Sequence, residues 1–363
     1  MVSSRVSVLH ATLLCVLIIA NSASGQKGFQ GFTLHGNAQG KKMWSEFKER
    51  FVSPEGRVID DANGGISHSE GQGYGMLLAA DHRDLSTFSI LWSWTRKNLQ
   101  VREDGLFAWK WDPSLPSNHI SDPNNATDGD ILIAWALLRA GELWKNERYI
   151  EDAKTIVRTL RRTMIVDSRY GPLLLPGGTG FIKPEGTIVN LSYWVFPAFL
   201  DIRRIDPSHI WNDLYLSGTR LLSEAQFGKW NLPPDWLLVS ETEPPSLPQE
   251  FDPVYGYNAV RIPLYLYWGG DTQKSLYQPF IDWAVHDENI YQLPDIINLV
   301  TNSPGDYTAL PGMIAIYHLI APRQITDSGN TGENYASYYS ACLRLLCTVA
   351  EKESRTYSAL PRP

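Results

Sequence analysis

Three acids stand out in this sequence because each follows small or hydroxyl-bearing residues and precedes an apolar run. Glu70 lies in ISHSEGQGYGM, and Asp128 and Asp130 lie in NNATDGDILIAW. Such a pattern is typical of a helix N-terminus, where a carboxylate can cap free backbone amides. Each of the three acids could therefore be a helix cap or could have a role in catalysis or binding. We favour capping for Asp130. Asp128, which is followed by glycine, could instead project into a cleft.

Two carboxyl groups at neighbouring helix starts would suit the hydrolysis of glycosidic bonds. In that reaction one carboxyl protonates the leaving oxygen while the other acts as a base or nucleophile. The proton donor must stay protonated near the working pH, and partial burial and a nearby carboxylate both raise its pKa. We therefore expect Glu70 to deliver a proton and Asp128 to lie beside it.

Aromatic residues between these segments suit a sugar ligand. The chain has 13 Trp and 17 Tyr among 363 residues, and aromatic rings form either core or platforms for partly apolar ligands. In GLFAWKWDP the alternation of a strand would turn Trp109 and Trp111 to the same side, although burial under the loop is an equal alternative. For Trp230 and Trp236 we expect packing, whereas the Tyr193 hydroxyl can hydrogen-bond a polar partner.

The charge pattern excludes several classes of partner. The net charge is −7 at pH 7 and no block of like charge occurs, which speaks against nucleic acid and anionic membranes as partners. No Cys, His or Asp spacing suggests a zinc site or a calcium loop, so we expect no metal.

Apolar residues recur with helical spacing between loops rich in Pro, Gly, Asn and Asp. The spacing predicts helices over residues 41–51, 72–80, 85–98, 130–144, 151–164, 193–203, 209–224, 257–267, 273–286, 307–319 and 335–351. Strand signals are brief, as in GRVID and GPLLLPG. The sequence therefore predicts an all-α, single-domain fold in which helical hairpins form a toroid, although the pattern cannot prove that the ring closes.

The N-terminus, MVSSRVSVLHATLLCVLIIANSASGQ, has the pattern of a secretory signal. We expect removal of residues 1–25 and export of a catalytic domain over residues 26–363, and an uncleaved anchor is the alternative. Cys15 would leave with the signal. Cys342 and Cys347 would lie about 140° apart on one helix, given about 3.6 residues per turn, so we expect them to be reduced.

Six blocks of this sequence, in order, resemble glycoside hydrolase family 8. They are GRVID, NGGISHSEGQGYGMLLAA, LFAWKWDP, NNATDGDILIAWALLRAG, NLSYWVFP and YNAVRIPLYLYW. The similarity is closest to the secreted endoglucanases that accompany bacterial cellulose synthesis. It implies an (α/α)6 barrel, inverting hydrolysis of internal β-1,4-glucosidic bonds, and no metal or cofactor.

The resemblance also assigns roles to individual residues. It implies that Glu70 is the general acid and that Asp128 holds the sugar at the cleavage subsite. Trp109 matches a sugar-stacking residue of the family, and Tyr193 and Arg261 match polar residues that line the same subsite. The full set of expected substrate-binding residues is Trp109, Trp111, Tyr193, Arg261 and Tyr74.

One position departs from the family pattern. Many members have YDA.R, with the Asp as catalytic base, whereas this chain has YGYNAVR and so places Asn258 there. An amide can orient a water molecule but cannot take up its proton. The candidate loop acids are Asp252, Glu250, Glu243, Glu241 and Asp235. Asp252 is our first candidate because it lies six residues before Asn258, and a turn-forming Asp before Pro253 is the alternative.

The resemblance favours an exported, monomeric endo-β-1,4-glucanase that acts on β-1,4-glucan and has a functional link to a cellulose synthase system. The alternative is a glucan-binding accessory protein of cellulose biosynthesis that has lost catalysis through Asn258. A lyase or isomerase on the same helical fold is a third hypothesis, and no feature of the sequence favours it.

Overall fold

The computed structural model describes residues 37–322, residue 325 and residues 337–360, and helices dominate this part of the chain. They are α1 (Asn37–Phe51), α2 (Ser69–Asp81), α3 (Leu85–Asn98), α4 (Thr127–Trp144), α5 (Glu147–Thr163), α6 (Phe196–Ile202), α7 (Ile210–Glu224), α8 (Ile262–Trp268), α9 (Lys274–Val285), α10 (Pro311–Ile320) and α11 (Tyr338–Ser358). Each overlaps one predicted helix, so the helical spacing is confirmed. The predicted signal over residues 1–25 lies outside the described residues.

Burial alternates from helix to helix along the chain. Helices α2, α4, α6, α8 and α10 are buried on nearly all sides, whereas α3, α5, α7 and α9 keep exposed faces. In α5, for example, Ala153, Ile156, Val157 and Leu160 form one buried stripe. Helices that are apolar all round belong in an interior, and one-sided helices cover it. The chain therefore alternates between an inner and an outer layer.

The inner helices form a closed ring. Helix α2 packs against α4, and the contacts continue through α6, α8, α10 and α11 back to α2. On the outside, α1 packs against α11, α3 against α2, α5 against α4, and α7 against α6. The fold is thus an (α/α)6 barrel, as predicted, and the contact between α11 and α2 supplies the closure that the sequence pattern left open.

Short strands tie the loops together. They are β1 (Ser67–His68), β2 (Lys110–Trp111), β3 (Ile165–Val166), β4 (Leu173–Leu174), β5 (Ile182–Lys183), β6 (Gly186–Val189), β7 (Leu237–Val239), β8 (Val254–Tyr255) and β9 (Ile297–Asn298). All pairings between them are antiparallel: β1 with β2, β3 with β4, β6 with both β5 and β7, and β8 with β9. Strands β1, β6 and β8 each precede an inner helix, so they fix the chain where that helix begins.

The two cysteines of α11 are buried and unpaired, as predicted. All described residues belong to one compact unit, residues 31–363. Within the described ranges, no helix combines the length and apolar character that a membrane span needs.

Candidate active site

The N-terminal ends of four inner helices carry the predicted site residues. Glu70 is the second residue of α2 and Asp128 is the second residue of α4. Tyr193 ends a short 3-10 turn just before α6, and Arg261 immediately precedes α8. Because these helices are neighbours in the inner ring, their first residues meet at one end of the barrel.

Arg261 joins these elements through its guanidinium group. Nη1 lies 2.5 Å from Glu70 Oε1 and 3.2 Å from Asp128 Oδ2. Nη2 donates to Ser192 Oγ at 2.9 Å and to Asn258 Oδ1 at 3.0 Å. Sequence reasoning missed Ser192, although it lies inside the quoted block NLSYWVFP. The cluster therefore sets two carboxyl groups against one guanidinium.

Exposure separates the two acids. The side chain of Glu70 is 20% exposed, whereas that of Asp128 is 1% exposed and that of Arg261 is 2% exposed. Burial and the charge of Glu70 raise the pKa of Asp128, so a proton can be retained in this pair at a higher pH than on an isolated carboxyl. Glu70 is the carboxyl that can reach a ligand, and Asp128 lies behind it.

Neither acid caps its helix. The cap of α2 is His68, whose Nδ1 accepts a hydrogen bond from the Gly71 amide at 3.0 Å. Its Nε2 lies 3.4 Å from the carboxylate of Asp60, so both ring nitrogens are satisfied. The N-cap of α4 is Ala126, which makes no side-chain cap. The carboxyl of Glu70 is therefore left for another role.

Our capping prediction for Asp130 is wrong. Its Oδ1 accepts from the amide of Phe107 at 2.9 Å and its Oδ2 accepts from Asn125 Nδ2 at 2.7 Å. Burial raises the pKa of Asp130 to about 8. These bonds fasten the start of α4 to the loop that carries Trp109, so Asp130 contributes to the site by positioning that loop.

The two candidate sugar-stacking tryptophans occupy different environments. Trp109 is half-buried, and its carbonyl accepts from the amide of Ser69, the residue before Glu70, at 3.0 Å. Its indole donates to Asp122 Oδ2 at 2.9 Å. The ring of Trp111 packs against Arg57, Trp94 and His119. The structure therefore places Trp109 next to the segment that carries Glu70. Trp111 instead packs among the side chains of the same loop and its neighbours.

Trp230 and Trp236 pack against other aromatic rings, as expected. Trp230 meets Trp283 edge-on with ring centroids 4.8 Å apart. Trp236 stacks on Phe181 at 5.7 Å and on Phe251 at 4.3 Å. Both residues therefore hold loops in place.

Tyr74 and Tyr193 both lie close to the guanidinium of Arg261, but they differ in how far they are buried. Tyr74 is fully buried, and its hydroxyl lies 3.2 Å from Arg261 Nη1 and 2.5 Å from the hydroxyl of Tyr265. At that depth its hydroxyl contacts the guanidinium of Arg261. Tyr193 is half-buried, with its ring 6.0 Å from Arg261 Cζ. Burial raises its pKa well above the usual value, so its hydroxyl remains a hydrogen-bond donor.

Asn258 lies beside a buried carboxylate. Its Nδ2 is 3.3 Å from Asp235 Oδ2, while Asp235 Oδ1 accepts from the amides of Gly256 at 3.0 Å and Ala259 at 2.7 Å. Burial raises the pKa of Asp235, although these hydrogen bonds oppose the shift. Two backbone amides thus anchor Oδ1 of Asp235, and Oδ2 faces the Asn258 side-chain amide at the longer distance of 3.3 Å.

The remaining loop acids lie elsewhere. Asp252, our first candidate, has an exposed side chain that makes no hydrogen bond or ion pair with any described residue. Glu250 pairs with Lys183 at 2.7 Å, and Glu241 accepts from the backbone amide of Arg169 at 3.1 Å. Among the loop acids proposed from the sequence, Asp235 is the one that the structure brings to Asn258.

Comparison with known proteins identifies the family of this chain. The model of the glycosyl hydrolases family 8 matches residues 22–353. This chain belongs to that family. It is 38% identical over 323 residues to a probable endoglucanase of Novacetimonas hansenii, covering 86% of this chain and 91% of the relative. It is 36% identical to an endoglucanase of Cellulomonas uda over 282 residues, covering 78% of each chain.

Solved structures of endo-β-1,4-glucanases share the fold. The endo-β-1,4-glucanase CMCax from Acetobacter xylinum superposes with a TM-score of 0.81 at 37% identity, covering 87% of this chain and 98% of the other. A family 8 endo-β-1,4-glucanase from an Achatina fulica gut metagenome gives 0.79 at 35% identity, with coverages of 85% and 97%. The chain is a glycoside hydrolase, as the resemblance implied.

Proposed function

We propose that this protein is an endo-β-1,4-glucanase that hydrolyses internal bonds of cellulose-type glucans with inversion. The names of its relatives support the reaction and the substrate class. The observation that carries the proposal is that Glu70 and Asp235 stand at opposite ends of a hydrogen-bonded chain through Arg261 and Asn258. Glu70 is partly exposed on one side, and Asp235 with Asn258 lies on the other.

In this proposal Glu70 is the general acid. It is the carboxyl of the Arg261 cluster that faces outward, so it can approach a glycosidic oxygen. Asp128 holds the sugar at the cleavage subsite once a substrate displaces part of the resting hydrogen-bond network. Arg261 holds the carboxyl groups of Glu70 and Asp128 in fixed positions, because its guanidinium is a rigid planar donor.

Asp235 is the base in this proposal, in place of Asp252. The Asn258 amide orients the attacking water, and Asp235 Oδ2 takes up its proton. A raised pKa makes Asp235 a stronger base than an ordinary aspartate. The guanidinium and an amide lie between Glu70 and Asp235, which suits an inverting enzyme, where the carboxyl groups stand about 6.5–9.5 Å apart to admit water.

Trp109 provides the stacking surface next to Glu70, and Tyr193 donates a hydrogen bond to the same sugar. Trp111 and Tyr74 act indirectly in this proposal. Trp111 packs against other side chains, and Tyr74 supports Arg261. Export is supported by the N-terminal signal pattern. A monomeric state and a functional link to cellulose synthesis complete the proposal.

Reducing-end release from carboxymethyl cellulose and soluble β-glucan tests the function. We expect wild type to release reducing ends and Glu70→Gln to release them about 10²–10⁴-fold more slowly, while both bind cello-oligosaccharides. A wild-type protein that binds the glucan without turnover, and that gains turnover on Asn258→Asp, would instead establish the accessory binding protein.

A further inference from the structure

A cavity lies at the end of the barrel opposite to Glu70, where the inner helices have their C-terminal ends. It encloses about 790 Å³ and is lined by the C-terminal ends of α2, α4, α6 and α11. Along helix α2, the rise from Glu70 to the last residue, Asp81, is about 16.5 Å at 1.5 Å per residue. Small-molecule sites typically occupy about 300–1,000 Å³. Hydrolysis at Glu70 makes no use of this cavity.

Two of the four carboxylates in its wall are saturated by hydrogen bonds. Asp201 Oδ2 accepts from Trp135 Nε1 and from the Tyr357 hydroxyl, both at 2.7 Å, and the other oxygen pairs with Arg204 at 3.1 Å. Glu353 receives both terminal nitrogens of Arg139 and also the indole of Trp268 at 2.8 Å. These acids are therefore not available to bind a cation.

The other two carboxylates are paired as well. Glu142 lies 2.6 Å from Arg204 Nη1, and Asp81 lies 2.6 Å from Lys352 Nζ. Ion pairing therefore neutralises all four acids of the cavity wall. Any additional ligand meets a wall whose negative charges are already satisfied.

Positive charge is in excess there. The wall contains the five cations Arg83, Arg139, Arg203, Arg204 and Lys352. Arg83 is exposed, and its side chain makes no hydrogen bond or ion pair within the described part of the chain. Each guanidinium offers five N–H donors, so donors outnumber the acceptors of the wall. This excess contrasts with the net charge of −7 for the whole chain.

The wall is also partly apolar, because Leu143, Leu200 and Leu360 contribute to it. We propose that this cavity binds a small organic anion, with phosphate or carboxylate groups on a larger body, and that Arg83 is its main free contact. A bare inorganic ion would leave most of about 790 Å³ unfilled. An organic anion would use the spare guanidinium donors and cover the leucine side chains.

Titration calorimetry on the full-length protein tests the proposal, with fructose 1,6-bisphosphate and citrate as probes. We expect at least one probe to bind saturably with one-to-one stoichiometry. Arg83→Glu should weaken that binding at least tenfold, and Arg83→Ala should weaken it in the same direction. Two controls should bind the probe like wild type: Arg148→Glu, at an exposed arginine of outer helix α5 away from the cavity wall, and Glu70→Gln, at the other end of the barrel.

Unchanged melting temperature and unchanged glucan hydrolysis in the Arg83 variants would show that they are folded. The proposal is overturned if neither probe binds, or if the Arg83 variants bind as tightly as wild type. Binding lost equally in Arg148→Glu would also overturn it, since that result would mean general attraction to surface charge.

Discussion

The two ends of the inner helical ring both carry a partly buried cluster of arginine and carboxylate, but the clusters differ in the ratio of carboxyl groups to arginine. At the N-terminal end, Arg261 faces both Glu70 and Asp128. At the C-terminal end, Arg139 holds Glu353 alone, with both of its terminal nitrogens. Helix N-termini favour negative groups and C-termini favour positive ones. Two carboxyl groups on one arginine can retain a proton for transfer. A pair of one arginine and one carboxylate instead holds helices α4 and α11 together.

Neutralising one acid at each end tests whether the two clusters have different roles, and it should give the largest effect. Glu70→Gln should lower kcat by about 10²–10⁴-fold, the usual contribution of a general acid, with the melting temperature unchanged. Glu353→Gln should leave kcat unchanged and destabilise the fold by about 1–3 kcal/mol, because it weakens charged hydrogen bonds to Arg139. Kinetics and thermal denaturation of both variants measure this, and loss of activity in Glu353→Gln would contradict it.

Two glycines of α4 offer a matched steric test. A Cβ at Gly129 would come within 2.8 Å of the Glu70 amide, and a Cβ at Gly141 would come within 2.5 Å of Ile150 Cγ1. Both alanine variants should lose about 1–3 kcal/mol through overpacking. Only Gly129→Ala should also lose about 10²-fold in kcat, because it displaces the acid. Equal kcat values in the two variants would show that Glu70 is not positioned by this contact.

The tryptophan pair predicts a smaller difference. Trp109→Ala should raise KM by several-fold, since aromatic stacking contributes about 0.5–1.5 kcal/mol beyond burial. Trp111→Ala should mainly lower the melting temperature, because its ring packs against Arg57 and His119. Michaelis–Menten kinetics on soluble cello-oligosaccharides separate the two. A larger KM change in Trp111→Ala would reverse the assignment.

The smallest expected effect concerns pH. A catalytic base must be ionised, so activity is lost as pH falls through its pKa. Burial raises the pKa of Asp235, and the hydrogen bond from Asn258 lowers it. Asn258→Ala should therefore raise this pKa further and move the acidic limb of the kcat/KM profile to higher pH. An acidic limb that stays in place would mean that another group sets it.

The sequence predicted the helices well, and it also predicted that Glu70 and Asp128 stand at helix starts, because both features depend on local signals. Helical periodicity marks each helix, and the blocks around Glu70 and Asp128 are contiguous. Closure of the ring was not predictable, since it depends on α11 meeting α2.

The surroundings of Asn258 were harder to predict because they depend on contacts between distant segments. Asp235 lies 23 residues from Asn258 and is brought there by the bond from its own amide to the Val254 carbonyl at 2.7 Å. Sequence proximity favoured Asp252, whose side chain is exposed. Likewise, no local signal showed that Tyr74 lies fully buried beneath the arginine.

We infer that the outward-facing Glu70 works with a base that Asn258 does not provide. The most direct test compares kcat for Asp235→Asn and Asp252→Asn on one soluble cello-oligosaccharide. We predict that Asp235→Asn loses about 10²–10⁴-fold in kcat, while Asp252→Asn matches wild type and both variants melt like it. Full activity in Asp235→Asn with a large loss in Asp252→Asn would contradict the account.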